Sequence, residues 1–154
     1  MDNFTYKYSV LCQKSIIDKT TNNISLIDII ERLELKINAS SYKQSSKGNS
    51  SKGKTLDIPL ALELVSFWFN NNKTKDIDIK IEFISPSKKV LFEFKPNFKF
   101  DSTKKNLRTY VKILGLTLSN ESGEYRFVIK YKNKSKSKYK VIDKIPLVVN
   151  MKIQ

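Results

Sequence analysis

The chain has 154 residues, with 29 Lys plus Arg against 15 Asp plus Glu, no His and a single Cys. That length suits one domain, and a 40% apolar share with 11% aromatics is globular rather than disordered. Lack of His removes the commonest general base and metal ligand, while one Cys excludes an internal disulfide and a cysteine-cluster zinc site.

The formal charge of +14 rests almost wholly on Lys, since Arg32, Arg108 and Arg126 are the only arginines. Abundant Lys, Asn and Ile together are what an AT-rich genome produces, so the excess of Lys does not by itself require a selected partner. Phosphate and base recognition favours the planar fork of Arg, so the charge permits a polyanionic partner without demanding one. The start, Met1-Asp2-Asn3-Phe4-Thr5, lacks a basic region followed by an apolar core, and no apolar run approaches membrane-spanning length. The expectation is a cytoplasmic protein with no membrane span.

Period-two alternation dominates the chain. Phe4, Tyr6, Tyr8, Val10 and Cys12 are expected on one face of a first strand. Asp18–Asn23 reads as a turn whose side chains bond their own backbone. Ile24–Ile37 is ambiguous: Leu26, Ile29, Ile30, Leu33 and Ile37 fit a helix, but the Ile and Leu content favours a long strand with a bulge near Asp28. Asn38–Thr55 is a Ser- and Lys-rich stretch that cannot bury enough to fold alone, and is expected as a flexible loop at about 38–56 inside a single domain spanning 1–154.

Ile58–Phe69 is apolar on both faces, which predicts a central strand. In Asp76–Phe83, isoleucines and Phe83 point one way while Asp76, Asp78, Lys80 and Glu82 point the other. Val90–Phe94 and Phe98–Phe100 flank Pro96, which suits an edge or a break. Leu107–Leu118, Tyr125–Tyr131 and a C-terminal strand follow; the last places Val141, Ile145, Leu147, Val149, Met151 and Ile153 on one parity, interrupted by Asp143. Short turns between such strands predict an all-β fold, an antiparallel β-sandwich of about seven to nine strands, immunoglobulin-like or C2-like.

Five local features compete for a role. Tyr125, Phe127, Ile129 and Tyr131 after Gly123 are read as core, with the Tyr125 hydroxyl tied near the strand start, in preference to a ligand platform. Trp68 is read as core and Cys12 as a buried small hydrophobe. Asp76 and Asp78, with Asp18, Asp57 or Asp101, offer carboxylates at a sandwich end, but their i, i+2 spacing suits the wet face of a strand better than Ca²⁺. The sharpest feature is Lys130, Lys132, Lys134, Lys136, Lys138 and Lys140, alternating with no acid between them. In an extended hairpin alternate residues recur every ~6.8 Å, near the phosphate spacing of an extended single strand, with Tyr131 and Tyr139 as stacking platforms. The competing reading is a solvated loop whose lysines guard against edge-to-edge aggregation.

The order of a Cys-ending first strand (Tyr8–Cys12), an Asp-Lys turn (Asp18-Lys19), Asn23–Ile27, a Trp-bearing strand (Leu62–Phe69), a Gly-x-Tyr-x-Phe strand (Gly123–Phe127) and a closing Ile145–Val149 resembles a family of small uncharacterised prokaryotic β-sandwich proteins. The resemblance implies the fold and carries no catalytic residues.

No catalytic, cofactor-binding or metal-ligating set emerges. The expected function is a non-enzymatic interaction module presenting loops and a basic arm to an acidic protein partner; the alternative is non-specific nucleic-acid binding through Lys130–Lys140. Polyanion binding predicts one contiguous positive face, whereas a protein partner predicts an exposed apolar patch with a polar rim.

Overall fold

Alternating apolar positions bounded by polar turns produce strands throughout, and the computed structural model describes residues 4–21, 23–37, 55–70, 77–98, 104–133 and 138–153. These form nine strands: β1 (Phe4–Ile17), β2 (Ile24–Ile29), β3 (Arg32–Ile37), β4 (Thr55–Asn70), β5 (Ile77–Ile84), β6 (Val90–Phe94), β7 (Asn106–Ser119), β8 (Gly123–Asn133) and β9 (Lys140–Ile153). The described residues include no helix, and none is therefore long and apolar enough to cross a membrane. The Ser- and Lys-rich stretch Asn38–Lys54 lies outside the described residues, and Thr55 already opens β4.

A four-stranded sheet runs β2-β1-β4-β7 and a five-stranded sheet runs β3-β9-β8-β5-β6. Leu11, Leu62, Leu64, Trp68, Leu116 and Leu118 of the first join Ile79, Ile81, Phe83, Tyr125, Phe127 and Leu147 of the second in one core. β4 is central, as its two-sided apolarity predicts, and β6, just before Pro96, is an edge.

Residues 24–37 are strand, but divided between the sheets. The backbone turns into the left-handed region at Asp28 (φ 50°), the chain leaves the four-stranded sheet after Ile29, and β3 enters the five-stranded one. There β3 pairs in parallel with β9, from Arg32 opposite Val148 to Ile37 opposite Ile153. The expectation of a purely antiparallel arrangement is corrected by this pair. Parallel neighbours need a long crossover, and more than a hundred residues of chain separate these two strands.

The face assignment of β1 is also corrected. The β1–β4 register shifts between Tyr6 and Tyr8, so Tyr6 opposes Trp68 while Tyr8 opposes Phe67. One extra residue reverses the parity of everything after it. Phe4 and Tyr6 therefore face the core, whereas past the bulge Leu11 faces inward and Tyr8, Val10 and Cys12 lie on the outer side.

Trp68 is 2% exposed, and its indole N–H donates to Thr109 Oγ1 at 3.0 Å, which satisfies the one polar atom a buried indole carries. The Tyr125 hydroxyl lies 2.8 Å from the carbonyls of both Ser119 and Glu121, tied at the strand start. Asp143, the polar interruption in β9, points inward to receive the Tyr6 hydroxyl from the opposite sheet.

Candidate functional site: an apolar outer sheet face

The two outer faces of the molecule differ in chemistry. On the five-stranded sheet, Lys80 and Lys130 stand directly opposite each other across β5 and β8, a like-charge pairing that costs stability unless bridged. Glu82 bridges it. Its Oε1 lies 2.7 Å from Lys80 and its Oε2 2.5 Å from Lys130, while Lys80 also reaches Glu93 at 3.0 Å. Burial pushes the Glu82 carboxyl up, but Lys130 and Lys80 together outweigh it and hold the group below its ordinary value. Lys132 pairs with Asp78 at 3.5 Å. Lys80, Lys130 and Lys132 thus meet Asp78, Glu82 and Glu93 in balanced number.

The lysine arm is placed accordingly. Lys130 and Lys132 belong to this ion-pair network, Lys138 and Lys140 are exposed, and Lys134 and Lys136 lie outside the described residues. Tyr139 receives the Lys132 ammonium 5.0 Å and the Lys80 ammonium 5.7 Å from its ring centroid. Two cations against one ring fold the return of the arm onto the sheet and occupy a ring that the sequence offers for base stacking. A cavity of about 510 Å³ beside it mixes Asp78, Lys95, Asn97, Lys132 and Tyr139 with the apolar Ile77, Ile79 and Phe98.

Of the aspartates weighed for Ca²⁺, Asp18 accepts the Thr20 and Thr21 amides, Asp57 accepts the Thr117 hydroxyl and Asp78 pairs with Lys132; Asp76 and Asp101 lie outside the described residues. No group of three His, Cys, Asp or Glu that could hold a metal occurs among the described residues.

The outer face of the four-stranded sheet is apolar where that of its partner is charged. Reading the registers across the strands gives successive rows: Tyr8, Phe67 and Arg108; then Val10, Val65 and Tyr110; then Ile29, Cys12, Glu63 and Lys112; then Ile27, Lys14 and, on β7, Leu114 opposite Ala61. Tyr8 is 52% exposed, Tyr110 54%, Ile29 59% and Leu114 86%. The exposed members stand on β1, β2 and β7, around the half-buried Val10 and Phe67 and the buried Val65 and Cys12. Single exposed apolar residues are ordinary, whereas several on one sheet face are the kind of patch that interaction surfaces use.

Local sequence explains how the face arises. The β1 bulge turns Tyr8 and Val10 outward. A second irregularity, between Ile58 and Ala61 of β4, lies opposite Gly115, whose φ of +108° suits glycine, and Leu114 stands out at that corner. Tyr8 and Phe67 stack with centroids 4.5 Å apart and planes 26° from parallel. That separation is close to the strand spacing of ~4.7–4.9 Å, so rings stacked across neighbouring strands stand on end and offer edges outward. Lys7 lies 5.0 Å from the Phe69 ring centroid at the bulged end.

Cys12 is buried on this face, its thiol donating to the Glu63 carbonyl at 3.6 Å. Burial, then the Glu63 charge, pushes its thiol up. A raised thiol is a poor nucleophile, and its place in the middle of a sheet gives it a packing role.

Sequence reading passed over this surface because it placed Tyr8 and Val10 on the core side. The available signal was the two-sided apolarity of β4, which marks a central strand but equally marks a strand whose outer face is itself apolar. Neither protein-family models nor curated proteins yield a match to this chain.

Proposed function

We propose that this chain is a non-enzymatic binding module: a β-sandwich, immunoglobulin-like or C2-like in type, that docks a protein partner on the outer face of its four-stranded sheet. The repeated passage of the chain between two sheets around one core supports the sandwich. The resemblance to small uncharacterised prokaryotic β-sandwich proteins belongs with this reading and adds no chemistry of its own. One observation carries the function: Tyr8, Phe67, Val10, Tyr110 and Ile29 form a contiguous apolar surface with cations around it, while the opposite outer face is laced with ion pairs. The docking surface is then the sheet rather than the 38–56 loop or the 130–140 arm.

The second reading is non-specific polyanion binding through the arm, and the exposure of Lys138 and Lys140 favours it. Against it stand Lys130 and Lys132, whose charges are met by Glu82 and Asp78.

Cross-linking of the full chain in an extract of its source cells separates the two. Wild type is compared with a face variant, Ile29→Ser with Tyr110→Ser, and an arm variant, Lys132→Gln with Lys138→Gln and Lys140→Gln. The expected outcome is a protein adduct kept by the arm variant and lost by the face variant. Loss confined to the arm variant, with nuclease-sensitive material in the adduct, makes the polyanion reading the better one.

A further inference from the structure

We infer that the occupant of this face is an acidic amphipathic helix of the partner, laid with its apolar stripe on the sheet and its carboxylates toward the surrounding cations; the inference rests on the docking reading above. The charges on this face are mostly positive, and of its two carboxylates Asp57, past Leu114 at the far end, already accepts the Thr117 hydroxyl. Lys14, Arg108 and Lys112 lie in the rows, and Lys7 sits at the β1 bulge. Glu63 is the one carboxylate among the described residues of those rows, and both the Ser15 amide (2.8 Å) and the Ser15 hydroxyl (2.5 Å) donate to it. Lys14 and Lys112 are exposed and make no ion pair among the described residues.

This distribution discriminates among occupants. A second copy laid face to face sets the same cations against each other, and like-charge juxtaposition in an interface is strongly unfavourable. A nucleic-acid strand satisfies the cations but needs flat ring faces to stack on. The Tyr8 and Phe67 rings are turned toward each other instead, Val10, Ile27, Ile29 and Leu114 are aliphatic, and Tyr110 leaves a single further exposed ring in the rows, too few for successive bases. A helix with apolar residues at i, i+3, i+4 and i+7 fits an apolar sheet face, the ordinary layer arrangement of helix on sheet. Glutamates flanking that stripe reach the cations on either side.

The probes are a labelled synthetic amphipathic helix with a leucine stripe flanked by glutamates, the same peptide flanked by lysines, and a labelled single-stranded oligonucleotide. Each is titrated with the full chain at about 150 mM salt, where exposed charges are already substantially screened. The glutamate-flanked peptide is expected to bind at least about tenfold more tightly than the lysine-flanked one, the preference that two or three rim pairs supply. Lys14→Gln with Lys112→Gln, both exposed and outside the core, removes most of that preference while leaving the melting temperature in place.

Equal binding of the two peptides, preference for the oligonucleotide, or binding of none of the probes overturns the acidic-helix inference. The docking face survives such a result if the Ile29→Ser, Tyr110→Ser variant still loses the cross-linked protein. It falls if that variant retains the adduct while folding normally by circular dichroism.

Discussion

The Tyr6 hydroxyl donates to Asp143 across the two sheets, joining residues 137 apart in the chain. Tyr6 reaches the core from β1 just before the bulge, and Asp143 is the inward carboxylate at the β9 irregularity opposite Ile129 and Lys130. Two departures from strict alternation thus meet at one bond. Burial raises the Tyr6 hydroxyl above its ordinary value of 10.0, and the bond to Asp143 raises it further.

A folded-state pKa above the unfolded one means that the native state retains a proton the unfolded chain has released. The contribution of Tyr6 is therefore complete below pH 10.0 and declines as pH rises above it. Tyr125, raised chiefly by burial, acts in the same direction. Tyr6→Phe is expected to cost about 1–3 kcal/mol at neutral pH, because the Asp143 carboxylate loses its side-chain donor and keeps the Lys144 amide on its other oxygen. It should also lessen the fall in stability above pH 10. Urea unfolding of both proteins at neutral and alkaline pH checks this, and an unchanged alkaline slope in the variant counts against it.

Glu82 has the opposite sign. Its carboxyl is held below the ordinary 4.5, so the stability it contributes is present above that value and is lost as pH falls through the depressed one. Glu82→Gln leaves Lys130 opposite Lys80 with no carboxylate between them, and is expected to cost about 1.5–3 kcal/mol at neutral pH. The acid side of its stability profile should be flatter than that of wild type. Unfolding midpoints measured across the acid range provide the comparison.

Gly123 opens β8 at φ +144°, and a Cβ there would stand 3.0 Å from Pro86 Cγ and 3.1 Å from Pro86 Cβ. Gly115, at φ +108°, would bring a Cβ 3.4 Å from the Ile58 carbonyl oxygen. Both alanine variants pay for a conformation that L side chains rarely adopt, about 1–3 kcal/mol each. Gly123→Ala adds a clash with a rigid proline ring and should melt at the lower temperature of the two. Thermal unfolding of both variants decides the order.

By itself the amino-acid sequence determined the all-β character, because period-two apolarity in β5, β8 and β9 leaves little else for those segments to be. It also determined the central place of β4, the core role of Trp68 and the tie of Tyr125 at its strand start, each a local consequence of burial and hydroxyl chemistry. Tertiary structure alone decided which face each half of β1 presents. A single bulge residue at Lys7 reverses the parity, and nothing in Tyr6-Lys7-Tyr8 marks it until β4 is alongside. It likewise decided that the first lysines of the arm meet Asp78 and Glu82, since those acids lie some fifty residues away and come opposite only through the β5–β8 register. Alternation is a property of neighbours along one strand; pairing, crossover and the parallel β3–β9 contact depend on strands distant in the chain. The outer face of the four-stranded sheet is of that second kind.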